Sequence, residues 1–388
     1  MPSLNPHLLH TEETYLFAKI AQKRKRCRLD VINLGVGDVS KPPIASCIDA
    51  LRKSVEEMTE RSTLPGYPPN QGYQFLREKI ALHEYANRFS PEEIFIGAGA
   101  KNGAADLLDL FAKGSRVGIP NPSYPVYLGA SRIAGMQVLF LPCLEENNFA
   151  PTPPNEPCSL IYLCSPNNPT GHSLCKKALE SWVAYAHNHG SLLFYDAAYE
   201  GFITSGNPRS IYAIPGAEKV AIEARSFSKK GGFTNLRCSY MVIPKECRVE
   251  GIALGQLWER RCQFKFGGVP YPVQKAAESL YSSRGRKELM LQIQEYQAQA
   301  VYLRKGLLER GFSIVGGSDA PYVWCKIPPN LSSWEFFDLL LEKTGVLCIP
   351  GVGFGSYGEG FVRFSAFPEI PLLEKALTNI EREMFCAI

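Results

Sequence analysis

The sequence predicts an α/β protein built on a mainly parallel, seven-stranded sheet covered on both faces, followed by a smaller α+β unit. Three observations predict this. From about residue 94 to 245, short apolar runs alternate with helix-like stretches. That is the pattern of strands buried on both faces and joined by crossover helices. After about residue 286 a long helical stretch gives way to short, paired strand-like runs. The 388 residues are also long for one core and suit two. The expected division is an N-terminal segment over 1–43 packing with the small domain, a large domain over 44–285 and a small domain over 286–388.

The elements follow in order. A helix is expected over residues 15–28, then the apolar run Val31-Ile-Asn-Leu34 and the turn Gly35-Val-Gly37-Asp38. An amphipathic helix over 44–60 ends near a Pro- and Gly-rich loop at 62–71, and a second helix covers 75–88. The seven strands fall at 94–96, 116–119, 137–141, 160–164, 191–195, 220–226 and 239–243, with helices at 101–111, 127–134 and 179–188. Beyond them come a helix at 287–310 and strands at 312–315 and 322–327. Ser332-Ser-Trp-Glu335 has the form of a capping box opening a helix to 343. Strands at 346–349 and 361–364 and a helix at 372–384 close the chain.

Composition narrows the class of protein. With 45% hydrophobic and 21% charged residues the chain is an ordinary globular one. A net charge of +4 over this length gives no case for a nucleic-acid or membrane partner. No run is long enough to span a bilayer, and residues 1–15 lack a charged-then-apolar leader pattern, so a soluble, cytoplasmic protein is expected. The twelve cysteines form no CxxC pair, and Cys164, Cys325 and Cys348 sit in apolar runs. They read as small buried hydrophobes in a reducing compartment, and no metal site is expected.

The stretch Ser226-Phe-Ser228-Lys229-Lys-Gly-Gly-Phe-Thr-Asn-Leu-Arg237 joins two of the predicted strands. A lysine pressed against apolar strands loses solvation, and its amine pKa falls, as a Schiff-base lysine requires. Arg237 with two serines can chelate a phosphate. A lysine beside a phosphate site suggests pyridoxal 5'-phosphate. Alone, the stretch reads equally as a basic surface turn. Asp196 ends a predicted buried strand, where ligands of open α/β sheets bind. It suits either a helix cap or the partner of a pyridinium nitrogen. Gly97-Ala-Gly-Ala-Lys-Asn102 links a strand to a helix and is an anion site or a plain turn. Tyr124 lies in the stiff loop Pro120-Asn-Pro-Ser-Tyr-Pro125 and could lie flat on a ring or simply pack the turn. Ser165-Pro-Asn-Asn-Pro-Thr-Gly171 presents two amides from a stiff loop in which Asn-Pro bonds admit the cis form. Arg363, inside the apolar strand Phe361-Val-Arg-Phe364, needs an anion: a substrate carboxylate or an internal salt bridge.

The order of these motifs is more specific than any one of them. Pro166-Asn-Asn-Pro-Thr-Gly171, Asp196-x-x-Tyr199, Ser226-x-Ser-Lys229 with Arg237, and Arg363 near the end together resemble the fold-type I pyridoxal-phosphate aminotransferases, the aspartate aminotransferase superfamily. The resemblance covers nearly the whole chain. Within that superfamily, Tyr15-Leu-Phe17, Ile32-Asn-Leu-x-x-Gly-Asp38, Gly99-Ala-Lys101, Ala320-Pro-Tyr-x-Trp324 and Pro350-Gly-x-Gly-Phe-Gly355 look like the LL-diaminopimelate aminotransferase family.

The resemblance implies a role for each matching position. Lys229 would carry the cofactor and move the proton, Asp196 would pair with its ring nitrogen, and Tyr199 and Asn168 would bond its ring oxygen. Tyr124 would stack on the ring. Ser226, Ser228, Arg237 and the backbone at Ala100 and Lys101 would hold the phosphate. Arg363 would bind the substrate α-carboxylate, with Tyr15, Gly37, Lys101, Tyr124, Asn168 and Asn70 around the substrate. Tyr67, in the loop Gly66-Tyr-Pro-Pro-Asn70-Gln-Gly72, would reach the phosphate of a neighbouring subunit, which implies a homodimer with shared sites. The substrates implied are LL-diaminopimelate and 2-oxoglutarate, on the route to lysine and peptidoglycan. Two positions depart from the family pattern. Asn70 stands where the family has an acidic residue, and Phe266-Gly267-Gly-Val-Pro270 replaces an Asn-Gly-Ala-Ser stretch. Both bear on the far end of the substrate and leave a broad aspartate or aromatic aminotransferase as the alternative.

Overall fold

The computed structural model describes residues 4–9 and 16–384. Its centre is a seven-stranded sheet in the order Ile94–Gly97, Ser239–Val242, Ala221–Ser226, Leu192–Asp196, Leu160–Cys164, Arg116–Asn121, Gln137–Pro142. Only Ser239–Val242 runs against its neighbours; the other pairings are parallel. Successive residues of a strand serve opposite faces. Leu193 and Tyr195 pack with Trp182 on one side, while Leu192 and Phe194 join Tyr127 and Tyr162 on the other. With both faces covered, every residue of Leu192–Asp196 is buried, which is why the strand reads as one unbroken apolar run.

A third core belongs to the later part of the chain. Ser313–Val315, Tyr322–Lys326, Phe361–Ser365 and Ile349–Pro350 form an antiparallel sheet in that order. Ile32–Asn33 pairs in parallel with Val346–Leu347. Leu16, Ile20 and Leu34 from the start of the chain share this core with Trp324, Phe337 and Phe364. The helix Ser283–Glu309, 27 residues long, joins the two parts of the molecule. It sets Leu289 against the core of the large sheet and Leu303 and Leu307 into the later one.

Local signals place most element ends. The expected capping box forms: Ser332 Oγ accepts from the Glu335 N–H at 3.2 Å, and Glu335 accepts from the Ser332 N–H at 2.7 Å. The helix Lys176–His189 stops at Gly190, whose φ of 63° is the left-handed conformation glycine adopts cheaply. Three X-Pro bonds are cis: Asn121–Pro122, Ser165–Pro166 and Asn168–Pro169. Among the helices longer than one turn, Leu254–Lys265 and Tyr271–Ser279 have no forecast in the apolar periodicity. The first buries only Leu254, Trp258 and Cys262 among many charged residues. The second opens on prolines that read as breakers but occupy its first turn, where a missing N–H costs nothing. No helix among the described residues is long and apolar enough to cross a membrane.

Candidate active site

The carboxyl ends of the parallel strands bring the candidate residues to one edge of the sheet. Ala221–Ser226 delivers Ser226, followed by one helical turn, Phe227–Lys230. Ser226 Oγ accepts from the Ser228 N–H at 3.1 Å and so holds that turn. Lys229 projects from it. Its Nζ donates to the Gly37 carbonyl and lies 5.6 Å from the centre of the Phe367 ring. Burial lowers the Lys229 amine to about 8; Asp38 pulls it up, and Arg363 and Arg237 push it down. The amine therefore gives up its proton far more readily than an ordinary lysine.

Arg237 folds back on the same turn. Its Nη1 donates to Ser228 Oγ at 3.3 Å and to the Thr234 carbonyl at 3.1 Å. The Arg237 guanidinium lies against Gly99, where an added Cβ would stand 2.0 Å from Nη2. Gly99 has φ 121° and gives its N–H to Ser239 Oγ at 3.1 Å. Immediately after it, Ala100 and Lys101 open the helix Ala100–Asp106. Two hydroxyls, a guanidinium and a side-chain-free backbone thus converge beside Lys229.

Leu192–Asp196 delivers Asp196, only 5% exposed. Tyr127 donates to Asp196 Oδ2 at 2.6 Å, and the Ala198 N–H donates to Oδ1 at 3.1 Å. Burial pushes this carboxyl up, and those two donors pull it back. Three residues on, the Tyr199 hydroxyl sits 2.9 Å from that of Tyr322. Burial raises both phenols, so both stay protonated at neutral pH. Tyr124 is half-buried, its ring edge-on to Tyr127 with centroids 5.7 Å apart.

Arg363 comes in from the small sheet, 1% exposed. Its Nη1 donates to Asn168 Oδ1 and its Nη2 to the Gly35 carbonyl, both at 2.6 Å. The guanidinium stacks 4.2 Å from Tyr322 and 4.9 Å from Phe354. Its Nε has no hydrogen-bond partner, and no carboxylate among the described residues pairs with it. Burial lowers its pKa, but arginine does not deprotonate in proteins, so it is a buried cation suited to an anionic partner.

Hydrogen bonds join Ser226, Ser228 and Arg237 at the lysine-bearing turn, Lys229 to Gly37, and Asn168 to Arg363, whose guanidinium stacks on Tyr322, the partner of Tyr199; Asp196, bonded to Tyr127 and Ala198, ends the neighbouring strand. Tyr67 is fully exposed, so it belongs to no pocket of its own chain, and Asn70 is half-buried in the same loop. Pro68 of that loop lies against Gly268, where a Cβ would come within 2.9 Å. Tyr15 lies outside the described residues. Lys230, next to Lys229, is buried between Glu200 and Glu84. Tyr127, Tyr322, Gly35 and Phe367 contribute without forecast. Tyr322 stood in the quoted Ala320-Pro-Tyr run, and Tyr127 is one helical turn from Tyr124, but neither carried a signal of its own.

The sheet and the lysine-bearing turn define an aminotransferase of fold type I. The profile of the aminotransferase class I and II family matches residues 29–380. An LL-diaminopimelate aminotransferase of Desulforapulum autotrophicum is 44% identical over 404 residues, covering 98% of each chain. One of Bacteroides fragilis is 41% identical over 410 residues, covering 99% of this chain and all of the other. Among solved structures, the L,L-diaminopimelate aminotransferase of Chlamydomonas reinhardtii superposes with a TM-score of 0.93 at 34% identity, covering 98% of each chain. The chain belongs to the LL-diaminopimelate aminotransferase family within the class I and II aminotransferases. That class depends in general on pyridoxal 5'-phosphate. The donor set here suits such a group: an amine of lowered pKa, a buried carboxyl, and a cradle of Ser226, Ser228 and Arg237 whose floor, Gly99, has no room for a Cβ.

Proposed function

We propose that the chain transfers the amino group of LL-diaminopimelate to 2-oxoglutarate. In reverse it would aminate tetrahydrodipicolinate from glutamate, on the route to lysine and peptidoglycan. It would work with pyridoxal 5'-phosphate, as a homodimer in the cytoplasm. Relatives of that name, matched along almost their whole length, support the substrate. One observation carries the chemistry: Lys229 stands at the edge of the sheet with its amine lowered to about 8.

When bound, pyridoxal 5'-phosphate supplies an aldehyde carbon that takes an amine and a ring that draws off the electron pair left at the substrate α-carbon. Lys229 Nζ would hold that aldehyde carbon until substrate displaces it. The freed amine, which burial makes easier to deprotonate than an ordinary lysine, would then take the proton from the α-carbon and deliver it at the former aldehyde carbon. Asp196, oriented by Tyr127 and Ala198, would keep a proton on the ring nitrogen. Tyr199, steadied by Tyr322, and Asn168 would bond the ring oxygen, and Tyr124 would lie against the ring. Ser226, Ser228, Arg237 and the backbone at Ala100 and Lys101 would hold the phosphate. Arg363 would clamp the α-carboxylate two-pronged, using the Nε that has no partner among the described residues. The exposed ring of Tyr67, with Asn70, would serve the site of a second copy. The described cysteines are free, which fits a reducing compartment.

Asn70 and Gly267, uncharged where the far end of the substrate is expected, favour a second reading: a broad aspartate or aromatic aminotransferase. Assay of LL-diaminopimelate, aspartate, tyrosine and kynurenine with 2-oxoglutarate separates the two. Turnover highest on LL-diaminopimelate supports the first reading, and none on it ends that reading. A Lys229→Ala variant with normal turnover would end both.

A further inference from the structure

Two neighbouring turns of the site each divide their side chains between the pocket and a buried cluster of charges. In the first, Lys229 reaches Gly37, while Lys230 turns away, 7% exposed, with Nζ 2.7 Å from Glu200 and 3.0 Å from Glu84. In the second, Tyr199 meets Tyr322, while the next residue, Glu200, turns to Lys230. One ion pair therefore ties the backbone directly after Lys229 to the backbone directly after Tyr199.

The pair is itself anchored. Glu84, on the helix Gln74–Tyr85, accepts from Lys230 and from Arg225 Nη1 at 2.7 Å, and from the Tyr281 hydroxyl at 3.1 Å. Arg225 Nε reaches Glu223 at 2.7 Å, and Glu223, fully buried, also accepts from Tyr85 at 2.7 Å. Burial would lower the Lys230 amine, but Glu200 and Glu84 raise it; burial would raise Glu84, but Lys230 and Arg225 hold it down. Lys230 and Glu84 therefore stay charged. Burying ions costs solvation that their attraction repays only in part, so such a cluster is a poor device for stability and a good one for fixing a geometry. The Lys230 stem also packs on Gly201, with Cβ and Cδ 3.7 and 3.8 Å from where a Cβ would stand.

We propose that Lys230, clamped to Glu200 and Glu84, is a positioning residue for amino transfer: it sets Lys229 in register with Tyr199 without touching cofactor or substrate. This rests on the reading of Lys229 as the cofactor-bearing lysine. The test compares cofactor-loaded wild type, Lys230→Met and Lys230→Arg. The readouts are visible circular dichroism of the cofactor band, kcat and KM for the amino donor, and Tm. Lys230→Met is expected to change the dichroism per unit absorbance and lower kcat by about tenfold or more, with KM within about twofold, because small misplacements of a catalytic group act on the rate step. Lys230→Arg, which keeps the charge, should restore most of the rate and the dichroism.

A Lys230→Met enzyme that loses only Tm, with dichroism and kcat unchanged, overturns the proposal. Should that variant not fold, the Lys230→Gln, Glu200→Gln double variant keeps a hydrogen bond and leaves Glu84 paired with Arg225, and the same readouts decide. Failure of both to fold also overturns the proposal, since a purely positioning pair does not govern folding. Borohydride reduction of wild type with peptide mapping separates the two ideas. Cofactor on a lysine other than Lys229 withdraws the functional reading, whereas cofactor on Lys229 with an indifferent Lys230→Met withdraws only the clamp.

Discussion

Lys229 and Arg363 are both cations pressed among apolar side chains, and they answer that pressure differently. A lysine can shed its proton; an arginine cannot. In the proposed reaction Lys229 would accordingly be the base and Arg363 the group that binds the carboxylate. In the protein without cofactor, the folded Lys229 amine is lowered to about 8, below the ordinary lysine value of about 10.4. The unfolded chain then binds more protons between those values, so this group's contribution makes stability rise with pH across that window. The urea midpoint of the wild type should climb relative to that of Lys229→Met between about pH 8 and 10; a constant difference would contradict the shift. Arg363→Gln should cut kcat/KM for amino acids by roughly 10- to 150-fold, the worth of a charge-assisted hydrogen bond of about 1.5–3 kcal/mol. Tm should hold or rise, because an uncompensated buried charge is removed. Arg363 stood out as a charge inside an apolar strand pattern, and Lys229 as a lysine in a polar turn between two such strands. Tyr322 did not stand out: a tyrosine in an apolar run looks like core, and only the fold brings it against Tyr199 and Arg363.

The elements that matter most are the places where strands stop. Ser226, Asp196 and Gly97 end three neighbouring or near-neighbouring strands, so sheet register places the candidate cofactor residues. Strands of this kind were legible because burial on both faces turns them into plain apolar runs. Leu254–Lys265 and Tyr271–Ser279 were not, since one is mostly polar and the other begins with proline. Between elements, contact distance decides what a glycine is for. Gly99→Ala would set a Cβ 2.0 Å from the Arg237 guanidinium on a backbone of φ 121°. It should weaken cofactor binding by about tenfold or more, the loss of at least one good phosphate contact, measured by fluorescence titration of the apoprotein. Gly35 lies in the segment between Ile32–Asn33 and Lys229's acceptor, Gly37. A Cβ there would stand 2.7 Å from the Cys348 carbonyl, and its own carbonyl receives Arg363. Gly35→Ala should therefore raise KM for amino acids more than it alters cofactor affinity; the reverse order would show that this segment does not position Arg363.

At the scale of the whole molecule, the site lies where separate cores meet. Lys229 comes from the large sheet, Arg363 from the small one, and Gly35 to Gly37 run between them. The charge on Arg363 and the amine of Lys229 are thus set by how the parts close on each other. A change in element pattern near residue 286 was legible in the sequence. The contact between the parts was not, because it depends on backbone carbonyls that carry no sequence signal. The exposed Tyr67 is consistent with the proposed homodimer, in which it would serve a second copy. Sedimentation should give twice the chain mass, and Tyr67→Phe should weaken cofactor binding by up to about tenfold, the worth of one hydrogen bond to a charged group. A monomer with full cofactor affinity would contradict shared sites. The most direct test of the central claim is a single half-reaction. The cofactor-loaded enzyme is mixed with LL-diaminopimelate in the absence of any oxo acid, and its absorbance is followed. Stoichiometric conversion from the aldehyde-form to the amine-form spectrum is expected, reversed by 2-oxoglutarate and absent in Lys229→Ala. An unchanged spectrum with LL-diaminopimelate, alongside full conversion by aspartate or tyrosine, would contradict the central claim.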